Sequence, residues 1–146
     1  MKRKLIFATG NQGKMREIKS IMADAEFEIL SMADAGIDVV IQEDGNSFEE
    51  NALIKARLVW EKCHELVFAD DSGLEIDYLN KEPGIYSARY MGEDTSYHIK
   101  NARLIERLAG VDDEKRTARF VCAVAAVFPD GSSKVVRACM EGRIGY

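Results

Sequence analysis

Phe68-Ala69-Asp70-Asp71-Ser72-Gly73 sets two acids side by side at the end of a short apolar run. Like charges at a partly buried site repel, and a divalent cation relieves that repulsion. Magnesium is the ion such hard oxygen donors suit. The same stretch also reads as an Asp-Ser-Gly turn with both acids solvated. A second constellation, Thr9-Gly10-Asn11-Gln12-Gly13-Lys14, lies between an apolar run and a helical pattern. A helix N-terminus presents unpaired amides and the positive end of its dipole, which suits a phosphate. By itself such a junction serves an anion or is only a turn. It is not a Walker loop, because Ala8 stands where the first glycine belongs and Met15 replaces Ser or Thr. A third, Glu43-Asp44-Gly45 followed by Phe48 to Ala56, puts Asn51 and Lys55 four residues apart on one helix face. Lys55 reaches a phosphate there or is simply a solvated lysine. His64 and His98 are the two histidines, neither in a zinc or triad pattern, so both read as structural or surface positions.

These groups need elements to hold them. Leu5 to Thr9 reads as a buried strand, Lys14 to Met22 as a helix with Met15, Ile18 and Met22 inward, and Glu28 to Met32 as a second strand. Ser47 and Glu50 have capping-box spacing. The helix that follows carries Phe48, Ala52, Ala56, Val59, Trp60 and Cys63 on one apolar stripe. Val67 to Ala69 is a short strand running straight into Asp70-Asp71-Ser72-Gly73. Ser96 to Leu108 is a helix with Ile99, Ala102, Ile105 and Leu108 inward and Gly110 as its stop. Phe120 to Phe128 suits a strand covered on both faces, and Pro129-Asp130-Gly131 turns it into a hairpin with Lys134 to Met140. The expected fold is α/β, a mixed central sheet with flanking helices.

The chain has 146 residues, 47% of them hydrophobic, enough for a single domain with a real core. Its net charge of −5 argues against a nucleic-acid partner, since phosphate neutralisation drives that binding. A small polyanion held by local lysines and a metal stays open. The apolar run after Met1-Lys2-Arg3-Lys4 breaks at Gly10-Asn11, too short for a signal segment or a membrane span. Cys63, Cys122 and Cys139 are three and widely spaced, which reads as small buried hydrophobes in a reducing cytoplasm.

Taken together, ATGNQGKMREI, EDGNSFEENALIKA, FADDSGLEIDYL and PGIYSARYMGED resemble, in order and spacing, the inosine triphosphate pyrophosphatase family. The match runs from about Leu5 to Gly145, and four segments in register are far more specific than any one. The resemblance implies an ITPase-like fold and a magnesium-dependent hydrolase. Such an enzyme cuts ITP, dITP or XTP to the monophosphate and diphosphate. It implies a phosphate-binding loop of Thr9, Gly10, Asn11, Gln12, Gly13 and Lys14. Asp71 becomes the catalytic, metal-binding aspartate, with Ser72 contacting substrate. Glu43 is the second metal carboxylate, although many relatives place that acid where this chain has Gln42. Lys55 matches the helical phosphate-binding lysine and Arg89 a triphosphate contact, and the family is usually a homodimer. Relatives continue into an FGYDP-like segment and a terminal Ser-His-Arg segment that hold the base. This chain stops at Tyr146, so the expectation is one domain, 1–146, incomplete at its C-terminal end. The rival expectations are a pyrophosphatase for modified pyrimidine nucleotides and a non-catalytic nucleotide-binding fragment.

Overall fold

Leu5, Ile6 and Phe7 are all buried in strand β1 (Arg3–Phe7), so this strand is covered on both faces. That is why its sequence is an unbroken apolar run rather than an alternation. The computed structural model describes residues 3–9, 12–42, 44–87, 90–91 and 95–146. After β1 come helix α1 (Gln12–Ile21), β2 (Phe27–Ser31), α2 (Phe48–Cys63), β3 (Leu66–Ile76), the two-residue β4 (Glu82–Pro83), α3 (Tyr97–Arg107), β5 (Thr117–Val127) and β6 (Ser133–Arg143). The order across the sheet is β2-β1-β3-β5-β6, with β4 on β3 off this path. β1 pairs in parallel with both β2 and β3, while β3 and β4 are antiparallel, so the sheet is mixed as expected.

Several expectations change. Asp70-Asp71-Ser72-Gly73 is not a turn, because β3 continues through it to Ile76. Leu66, Val67 and Phe68 pair with β1, and Glu75 and Ile76 pair with β4. Backbone ladders anchored at both ends override the local turn preference of Asp-Ser-Gly. In α3 the inward residues are Lys100, Leu104 and Leu108, while Ile99, Ala102 and Ile105 are exposed. Both stripes have helical spacing. Leu108 belongs to both, and Leu104 sets the face by packing with Ile76, Leu79, Leu108 and Ala118, its burial worth about 1.5–3 kcal/mol. Lys100 lays its stem along this face with its ammonium 5.0 Å from the Tyr97 ring centre. The thiols, finally, are not all buried: Cys139 is exposed and Cys63 and Cys122 are half-buried, none in a disulfide.

The start of α2 is as its spacing predicts on one side. Ser47 Oγ accepts from the Glu50 amide at 3.0 Å. The Glu50 carboxylate reaches one residue further back than a capping box requires and accepts from the Asn46 amide at 2.5 Å. The stripe Phe48, Ala52, Ala56 and Val59 is buried, with Asn51 among it. At the other end His64 takes a left-handed φ of 54° and donates its amide to Trp60 O at 2.7 Å. β5 has Ala118, Val121, Ala123, Ala125 and Val127 buried and Phe120 exposed, so its second face is only partly covered. Gly131, at φ 88°, closes the turn into β6 as the Pro-Asp-Gly signal predicts.

The contacts divide the chain into two compact units, Met1–Asp71 with Ala123–Val136, and Ser72–Cys122 with Arg137–Tyr146. The first contains β1, β2, α1 and α2 and the core of Leu5, Met15, Phe48, Val59 and Val67. The second contains α3 and the cluster of Ile76, Leu79, Leu104, Leu108 and Ala118. Among the described residues no helix is long and apolar enough to cross a membrane.

Candidate active site

Two lysines from two helices meet at one aspartate. Lys14, in the first turn of α1, donates from Nζ to both carboxylate oxygens of Asp70, at 3.2 and 3.1 Å. Lys55, in the middle of α2, donates from Nζ to the backbone carbonyl of the same Asp70 at 2.9 Å. The Asp70 side chain is only 13% exposed and that of Lys14 35%. A part-buried pair of this kind is screened less than a surface one. The two lysines thus stand together at β3, as a pair of phosphate-binding cations would have to.

β1 ends just before the loop that leads into α1. Ala8 still donates to Phe68 O at 2.8 Å, which ties that loop to β3 two residues before Asp70. Thr9 folds back with its amide on Phe7 O at 2.8 Å. Gln12 is exposed, and Gly13 and Lys14 are half-buried in the first turn of α1. The amides of a first helical turn have no partner inside their own helix. Gly10 and Asn11 of the expected phosphate loop lie outside the described residues, as do Glu43 and Arg89.

Asp71 is half-buried in β3, with one carboxylate oxygen shielded from solvent. Adjacent strand side chains point to opposite faces, so Asp70 and Asp71 do not face one another as a turn would have let them. Lys14 neutralises Asp70, and the repulsion expected between the paired acids is already relieved without a metal. A divalent ion at Asp70 would have to displace Lys14 from both oxygens, which leaves Asp71 as the carboxylate that fits one. Its hard oxygen donor set matches magnesium rather than a softer metal. Among the described residues no group of three or more metal-ligating side chains gathers. Ser72 follows Asp71 in β3 and is exposed. His64 is exposed, its ring edge-on to Trp60 at 4.5 Å, and His98 is exposed on α3, in keeping with structural and surface roles.

Sequence reading missed the part played by Asn51. Its side chain is fully buried. Its Oδ1 accepts the Gly45 amide at 2.8 Å and so ties the acidic loop before α2 to the helix. The available signal was a glycine two residues before a helix cap, with a polar residue on an otherwise apolar stripe.

The chain is similar to a set of known proteins. A dITP/XTP pyrophosphatase of Bacillus licheniformis is 42% identical over 142 residues, covering 97% of this chain and 72% of that protein. One of Thermoanaerobacter pseudethanolicus is 49% identical over 124 residues, covering 85% of this chain and 63% of the relative. Among solved structures, the Staphylococcus aureus Ham1 protein superposes with a TM-score of 0.87 at 36% identity, over 98% of this chain and 72% of the other. A nucleoside-triphosphatase / dITP/XTP pyrophosphatase of Mycobacterium abscessus does so with a TM-score of 0.82, also at 36% identity, over 96% and 72%. A family model matches residues 5–146, and with the fold and these relatives it establishes that the chain belongs to the Ham1 family.

Proposed function

We propose that this chain hydrolyses ITP, dITP or XTP to the nucleoside monophosphate and diphosphate, with magnesium as its metal. The observation that carries the reading is the convergence of Lys14 and Lys55 on Asp70, beside Asp71 in the same strand. The names of the relatives, dITP/XTP pyrophosphatases, support the same reading.

In this mechanism Lys14 and Lys55 take the outer phosphates, Lys14 exchanging its Asp70 contact for substrate oxygens. The α1 N-terminus, with Thr9 to Gly13, offers backbone amides to the same group. Asp71 and Glu43 would hold the magnesium, and Ser72 and Arg89 would contact the triphosphate. The bound ion would polarise the phosphate and offset the charge that grows on the leaving diphosphate. Asp71 orients a water toward the α-phosphorus. A new bond forms from that water oxygen to phosphorus as the bond to the bridging α–β oxygen breaks, and the water's proton passes to solvent. No covalent intermediate is required. A homodimer is the assembly that goes with this reading, and light scattering checks it.

Diphosphate release from dITP, XTP and a panel of pyrimidine triphosphates, with magnesium and with excess chelator, is the test. The expected result is release from the purine triphosphates with magnesium only. Asp71→Asn should lower kcat by about a hundredfold or more, the usual cost of a group that acts in the transition state, while the circular dichroism spectrum stays the same. Full activity in chelator would refute the metal mechanism. Faster use of a modified pyrimidine triphosphate would favour that substrate class, and binding without any diphosphate release would make the chain a nucleotide-binding module.

A further inference from the structure

We infer that Asp70 is a positioning residue for product release: its carboxylate stands in for a phosphate on Lys14 and, by retaking that lysine, helps the diphosphate leave. This inference rests on the proposed hydrolysis and adds to it the regulation of its phosphate site.

The argument starts from how differently Asp70 holds the two lysines. Lys14 Nζ sits between the two carboxylate oxygens at 3.1 and 3.2 Å, longer than the about 2.7–2.9 Å of a strong charge-assisted bond. An ammonium makes no rigid fork with a carboxylate, so a phosphate oxygen can replace this contact. Lys55 Nζ instead donates to the Asp70 backbone carbonyl at 2.9 Å. That oxygen carries no net charge. An ammonium has three donors in all, so binding a phosphate does not require that bond to break. A phosphate therefore competes with the Asp70 side chain for Lys14, and not with the Asp70 carbonyl for Lys55.

Burial decides which member of the pair moves. The Asp70 side chain is 13% exposed and that of Lys14 35%. Asp70 lies two residues beyond Phe68, which pairs with Phe7 of β1 and accepts the Ala8 amide at 2.8 Å. The sheet fixes the carboxylate, whereas the lysine charge rides on a flexible four-carbon stem. When Lys14 swings to a phosphate, a part-buried carboxylate is left without it. That state is costly, and it favours the return.

Triphosphate and diphosphate offer Lys14 the same phosphates, so the competition weakens both. Only the product has to leave for the next turnover, and product departure limits many enzymes. A ligand that needs one form of a protein binds more weakly in proportion to the fraction present in that form. With Lys14 away from Asp70 about a tenth of the time, diphosphate binds about tenfold more weakly than it would to an unopposed lysine.

The test is calorimetric titration of the nucleotide-free chain with inorganic diphosphate in magnesium-free buffer, for wild type, Asp70→Asn and Asp70→Glu. Asp70→Asn keeps the shape and the carbonyl that holds Lys55 but removes the charge. It should bind diphosphate about tenfold more tightly, and diphosphate should inhibit dITP hydrolysis more strongly by the same factor. Asp70→Glu, which keeps the charge, should stay close to wild type. In a Lys14→Met background Asp70→Asn should change nothing, since the two side chains act as a pair. Damage to the fold alone does not raise affinity. Unchanged, weaker or undetectable diphosphate binding by folded Asp70→Asn overturns the inference. A gain that persists with Lys14→Met, or an equal gain in Asp70→Glu, overturns it too. If Asp70→Asn does not fold, Asp70→Ser removes the same charge with a smaller side chain and is read by the same criterion. Tighter diphosphate binding by Asp70→Asn, with no diphosphate released from dITP by the wild-type chain, would sink the proposed activity and leave the competition standing.

Discussion

Lys14 forms a part-buried ion pair with Asp70, and in the proposed mechanism it leaves that pair for the phosphates. A lysine suits this exchange because its compact, mobile charge makes no rigid fork with the carboxylate. Lys14→Ala and Lys55→Ala should each lower kcat/KM for dITP, whereas Lys115→Ala, at an exposed position, should leave it unchanged. The ion pair has its own signature in a double-mutant cycle of Lys14→Met and Asp70→Asn followed by urea unfolding. Contacting residues of this kind couple by about 0.5–3 kcal/mol. Strict additivity of the two substitutions would show that the pair is not formed in solution.

Elements hold these residues through features of ordinary size. The Ser47 cap is the clearest, its hydroxyl on the Glu50 amide. Ser47→Ala should cost about 1 kcal/mol in urea unfolding, and because α2 carries Asn51 and Lys55, activity should soften with it. The orientation of α3 gives a sharper contrast. Leu104 is buried in the cluster with Ile76 and Leu79, while Ile99 is 52% exposed. Leu104→Ala should cost about 2–5 kcal/mol, and Ile99→Ala should stay within about 0.5 kcal/mol of wild type, as surface changes do. Equal costs at the two positions would return α3 to the face its i, i+3 spacing suggested.

The whole molecule carries a net charge of −5, and its acid stability is governed by particular carboxylates. The Thr117 hydroxyl, then Arg119, hold the Asp77 carboxyl below the ordinary aspartate range. The Ser31 amide, then its hydroxyl, do the same for Asp34. A carboxyl depressed in the folded state adds stability that is fully present above its unfolded value of about 4. That contribution is lost as pH falls through the lower, folded value. The thermal midpoint should therefore drop below about pH 4, and Asp77→Asn should make that fall shallower, more so at low salt. A fall of the same steepness in the variant would show that the Thr117–Asp77–Arg119 contacts do not persist in solution. Arg116 is the interior counterpart, a buried guanidinium that donates to the carbonyls of Leu108, Ile144 and Gly145 and stacks on Tyr146. The negative ends of those carbonyls, one of them at the C-terminus of α3, stand in for a carboxylate.

Sequence alone determined the order of the main strands and helices, the Ser47 cap and the Gly131 turn. Each of these follows from short-range rules, in which apolar runs bury, hydroxyls cap and glycine takes positive φ. Tertiary structure alone decided where competing local rules were equally satisfied. Two helical stripes that share Leu108 fit α3, and the burial of Leu104 against the exposure of Ile99 and Ile105 chose between them. Asp-Ser-Gly favoured a turn, and pairing at both ends of β3 drew it into the sheet, sending Asp70 and Asp71 to opposite faces. The meeting of Lys14 with Asp70, fifty-six residues apart, and the grip of Asn51 on Gly45 depend on packing distances that spacing along the chain does not encode.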